Sequence, residues 1–166
     1  MSIPFHPESN QVAQIIPFAA GGAVKNGINI SLKQIHRCFI YCVIEQGADA
    51  TQTTFTLAQS SGNAGSATGT GEKALTNNVP IFYNENCALN QVLTAATAAK
   101  SYETDINQSR TKMVVFDIVP QACMDLANNF DCITVNSSDP GASNVAGAFA
   151  VLIPERYAPL ATVYAD

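Results

Sequence analysis

The chain has 166 residues, a length that predicts a single domain. Only 13% of them are charged, the net charge is −5 and 47% are hydrophobic, which argues against wholesale disorder and against a dedicated duplex-DNA binder, since that needs a basic footprint. No apolar stretch approaches the ~20 residues of a membrane span, and the opening residues Pro4, His6, Pro7 and Glu8 lack the charged-then-apolar pattern of an export signal.

Residues 1–20 mix Pro, Asn and Gln with short apolar runs and read as an extended N-terminal arm or a first strand. Gly21, Gly22 and Gly27 then bracket a turn or bulge. Ile28, Ile30 and Leu32 alternate with polar residues, as in a half-buried strand. The segment 35–44 is the strongest strand. Cys38, Ile40 and Cys42 share one face with His36, while Phe39, Tyr41 and Val43 share the other with Arg37. Both faces are mostly apolar, which predicts a central strand covered on both sides. A turn at 46–49 and a strand at 53–59 complete a hairpin.

The run SSGNAGSATGTG at 60–71 reads as a surface loop without core residues. Strand character returns at 74–83. Residues 88–99 are ambiguous between helix and a short strand with a loop, and 100–111 read as a polar connection. MVVFDIV at 113–119 is a second strong strand, ended by Pro120; one helical turn fits 121–129. Strands follow at 130–135 and 145–153, where Gly147 marks a bulge or a close backbone approach. About eight short strands without crossover helices predict an all-β β-sandwich of the jelly-roll kind. The expected organisation is an arm or first strand over 1–20, one sandwich domain over 21–159 and a tail over 160–166.

Five cysteines show no zinc spacing. Cys38 and Cys42 lie roughly 13 Å apart along one strand, beyond disulfide reach. They read as buried thiols, whereas Cys123 and Cys132 flank a short segment and remain open to pairing. Support for catalysis is thin. His36 reads as a packed, hydrogen-bonded residue, GTGEK at 69–73 lacks phosphate-loop spacing, and DPGASN lacks the carboxylates of a calcium loop. Asp117 and Asp131 are placed to pair with Arg37, Arg110 or Arg156 in structural roles. Neither an enzyme nor a cofactor or metal is expected.

Four segments carry a resemblance: AAGGAVKNGINISLK (19–33), GTGEKAL (69–75), NNFDCITVN (128–136) and GAFAVLIPERYAP (147–159). In this order they resemble a group of small virion structural proteins of tailed bacteriophages. The resemblance implies a capsid decoration, or cement, protein: a small sandwich on the outer capsid surface at capsomer junctions, homotrimeric, assembled in the host cytoplasm. Its partners would be the major capsid protein and itself, with neither nucleic acid nor membrane. Phe5, Ile15, Ile16 and Phe18 of the arm, Lys25 of the matched turn, and Arg156 with Tyr157 are the interface residues this implies, with Lys25 free to meet an acidic shell. Another virion part (a tail tube, head–tail joining or fibre-base subunit) stays open. A carbohydrate-binding sandwich is disfavoured by the absence of tryptophan.

Overall fold

The computed structural model describes residues 10–89 and 91–155. Its ten strands are β1 (Gln11–Ala20), β2 (Ile30–Ser31), β3 (Ile35–Gln46), β4 (Thr54–Ser60), β5 (Val79–Asn84), β6 (Thr94–Ala99), β7 (Ser101–Glu103), β8 (Arg110–Ile118), β9 (Cys132–Ser137) and β10 (Val145–Pro154). The order is β1-β10-β3-β8-β5-β6 in one sheet and β2-β9-β4-β7 in the other, and every pairing is antiparallel. With the β5–β6 hairpin set aside and the other eight strands counted in sequence, the sheets read 1-8-3-6 and 2-7-4-5. These are the two interlocked Greek keys of a jelly roll. The hairpin extends the first sheet beyond β8.

Alternation builds the core. Cys38, Ile40, Cys42 and Ile44 of β3 face inward and are fully buried, as are Phe116 of β8 and Ala146, Ala148, Ala150 and Leu152 of β10. Phe55, Leu57, Ile133 and Val135 meet them from the second sheet. Each fully buried large aliphatic side chain contributes roughly 1.5–3 kcal/mol. The small residues of β10 leave room for the bulky side chains opposite. A single helical turn, α1 (Pro120–Cys123), starts on a proline that needs no amide partner there and buries Cys123 against β3.

Several expectations are corrected. The strand at 53–59 forms no hairpin with the preceding one, because β3 and β4 lie in different sheets. Of the two readings of 1–20, residues 11–20 form strand β1, paired with β10. The connection 100–111 contains β7, and 88–99 resolves into a 3-10 turn (Cys87–Leu89) followed by β6. His36 is exposed: the β3–β10 register shifts between Arg37 and Ile35, so His36 falls outside the inward alternation. Cys123 and Cys132 are both free thiols. The 60–71 loop does have an internal anchor. Asn29, fully buried, donates from Nδ2 to the Ser66 carbonyl at 3.0 Å and accepts from Ser60 Oγ at 2.7 Å.

Candidate interaction surface

The two sheets present different outer faces. On β4 and β9 the outward positions are mostly polar, with Thr56 opposite Asn136, and Asn136 Nδ2 donates to Glu72 of the loop that follows β4. The outer face of the six-stranded sheet is apolar. Phe39, Tyr41 and Val43 of β3 lie beside Val151, Phe149 and Gly147 of β10, and beside Asp117, Val115 and Met113 of β8. Phe82 of β5 pairs with Val115, and Val12 of β1 with Val151. Phe39, Tyr41, Val43, Phe149 and Val151 are half-buried, and Val12 is 68% exposed. The prediction that β3 is covered on both sides is therefore corrected within the described chain: the second sheet covers one face only. Five adjacent strands at ~4.8 Å spacing make this apolar face roughly 20 Å wide, larger than the scattered apolar side chains of an ordinary surface.

Its geometry is fixed by three contacts. The Tyr41 and Phe149 rings stack with centroids 5.1 Å apart and 8° between planes. Phe18 lies over Gly147, where a Cβ would stand 2.5 Å from its ring, which explains the glycine in mid-strand. Arg37 donates from Nε to Asp117 Oδ1 at 2.7 Å and from its second nitrogen to Oδ2, with its guanidinium 4.9 Å from the Phe39 ring centre. Donating this bidentate pair to Asp117 raises the Arg37 pKa above its ordinary value. The Asp117 carboxylate is thereby neutralised by its own neighbour, while Glu45 stays exposed at the far end of the same face.

The interface residues named from the sequence fall into different places. Phe18 is 48% exposed at the rim of the apolar face. Ile15 and Ile16 are core residues, 0% and 1% exposed, because a register shift between Gln14 and Ile16 turns both inward. The Lys25 ammonium is not free: it donates to the carbonyls of Ala19 and, at 3.0 Å, Ala146, and burial lowers its pKa. Lys25 thus staples the glycine turn to β10. Phe5, Arg156 and Tyr157 lie outside the described residues. Tyr41, Phe149 and Val151 were missed as surface residues; the signal available was apolar residues on both faces of one strand.

A second polar cluster is structural. Lys112, 0% exposed, donates to the carbonyl of Asp105 at 2.6 Å, to its carboxylate and to Gln46 Oε1, with Glu85 at 3.9 Å. Glu85 also accepts from Tyr102 Oη at 2.8 Å. Burial tends to raise the Asp105 pKa, but hydrogen bonds from Lys112 and Asn107 outweigh it and hold the carboxyl below its ordinary value. Asp131 lies 3.6 Å from Lys33. Among the described residues, no group of three or more His, Cys, Asp or Glu side chains is placed to hold a metal ion.

No protein-family model and no curated protein matches the chain. Among solved structures it is similar to the SPBc2 prophage-derived protein YomS, at 8% identity over 92% of this chain and 96% of that one, with a TM-score of 0.46. PirA follows at 11% identity over 91% and 98%, with a TM-score of 0.27, and turnip yellow mosaic virus at 8% over 93% and 87%, with 0.19.

Proposed function

We propose that the chain is a structural protein of a tailed-bacteriophage virion that binds the outside of the capsid and cements the shell at capsomer junctions. The observation that carries this reading is the aromatic-rich outer face of the six-stranded sheet, which the second sheet leaves uncovered among the described residues and which is anchored by the Tyr41–Phe149 stack. Tyr, Phe and Arg are the side chains that bind best when water is excluded around them. The four segments quoted above, spread from residue 19 to 159, supply the virion context. The net charge of −5 suits a surface that faces away from packaged DNA. Cementing then works by mass action. A subunit that binds only the closed joint stabilises the closed shell, and repetition over many joints adds avidity.

The test is binding of the purified chain to mature shells that lack it. The reading expects saturable sites on the shell and a higher shell melting temperature. Rings or tubes without shell binding would move the chain to the tail, and indifference to particles would return it to the carbohydrate-binding class.

A further inference from the structure

The four sheet edges are not alike. β1 carries Pro17, which has no N–H, and its register shifts twice, between Gln14 and Ile16 and between Ile16 and Ala19. Both features obstruct addition of a further strand. The second sheet ends in β2 and β7, only two and three residues long. β6 is less protected: its register against β5 shifts only once, between Val79 and Ile81. It is six residues long, TAATAA, with neither proline nor charge, and Thr94, Ala95, Thr97 and Ala98 are exposed. No strand of the described residues pairs with its far side. Just before it, Leu89 and Val92 are 58% and 91% exposed.

We propose that β6 pairs antiparallel with β6 of a second copy across a two-fold axis, joining two six-stranded sheets into one continuous sheet. Alternate peptide groups of an edge strand point away from its neighbour, and a second strand satisfies them. A second copy fits this edge because a two-fold pairing sets only Thr and Ala against Thr and Ala. No like charges meet, and no bulky side chain holds the backbones beyond ~4.8 Å. Residues 91–99 carry no charge at all; the first is Lys100. The joined sheet sets two apolar outer faces side by side, doubling the surface offered to a shell; only this consequence rests on the function proposed above. The resemblance implies a trimer, whereas this edge builds a dimer.

Sedimentation equilibrium of the full chain tests the pairing. The expected mass is twice the 17.5 kDa of one chain. Thr97→Lys and Thr97→Glu, each alone, place like charges close to the axis and weaken dimerisation at least about tenfold. An equimolar mixture of the two restores the dimer, which also shows that both variants fold. A monomeric or trimeric wild type, or variants that dimerise as the wild type does, would overturn the pairing. A wild-type monomer that binds shells would remove this inference and leave the cement reading standing. A β6-dependent dimer that ignores shells would do the reverse.

Discussion

Tyr41 of β3 and Phe149 of β10 are directly opposed across the strand pair, and their rings stack on the side of the sheet that the second sheet does not cover. A stacked pair contributes roughly 0.5–1.5 kcal/mol beyond its buried area. Tyr41→Ala should therefore lower the melting temperature by only a few degrees, about 2–4 °C per kcal/mol at this size. Loss of an anchoring aromatic from the middle of an interface costs about 2 kcal/mol or more, so shell affinity should fall at least thirtyfold. Thermal melts and a saturation curve on shells read the two effects separately. A large drop in melting temperature with unchanged binding would assign the pair to the fold alone.

The β3 face also shows how far the sequence could be read. Strands with strict alternation or strong apolar runs, β3, β8 and β10, were legible because period-two burial needs no knowledge of the rest of the chain. β7, three residues inside a polar connection, was not, because its pairing with β4 is non-local. Ile15 and Ile16 read as interface residues because they fall in the arm that the resemblance implies; the register shift in β1 turns both into the core instead. Lys112 gave no signal, since its acceptors lie at positions 46 and 105.

Gly27 separates steric from conformational demand. A Cβ there would lie 2.2 Å from the Val135 carbonyl oxygen and 2.6 Å from the Ile15 side chain, while its amide donates to Asn136 Oδ1 at 2.9 Å. Gly27→Ala must push β9 backbone aside and should cost about 3 kcal/mol. At Gly22 the nearest atom would be 3.3 Å away, and Gly22→Ala should stay within about 1 kcal/mol. Urea midpoints of the two variants give the comparison, and equal midpoints would refute the close packing at Gly27.

The thiols should react in a set order. Cys38, Cys42, Cys123 and Cys132 are buried, and burial raises Cys38 and Cys42 far above the ordinary thiol value and Cys123 to about 11. Cys87 is half-buried, its pKa raised by burial and by Glu85. The thiolate is the reactive form. A disulfide reagent under native conditions should label one thiol per chain, at Cys87, more slowly than a free cysteine and faster as pH rises. The other four should react only on unfolding, and rapid native labelling of two or more would contradict the packed core.

The Lys112–Asp105 pair predicts both an order of variants and a pH dependence. Asp105→Asn leaves a fully buried ammonium without its nearest carboxylate, so it should cost about 3 kcal/mol. Lys112→Met leaves a carboxylate that is 35% exposed and still reached by solvent, so it should cost less. The pKa of Asp105 is lower in the folded chain than its ordinary 3.8. Its contribution is therefore fully present above that unfolded value and is lost as pH falls through the lower folded value. The stability gap between wild type and Asp105→Asn should be constant from neutral pH to about 5. It should then close as pH drops below the unfolded value, because protonation of Asp105 in the wild type removes the charge that the variant already lacks. Denaturation at a series of pH values measures the gap, and a gap that widened toward acid would mean that Lys112 does not draw its stabilisation from that carboxylate.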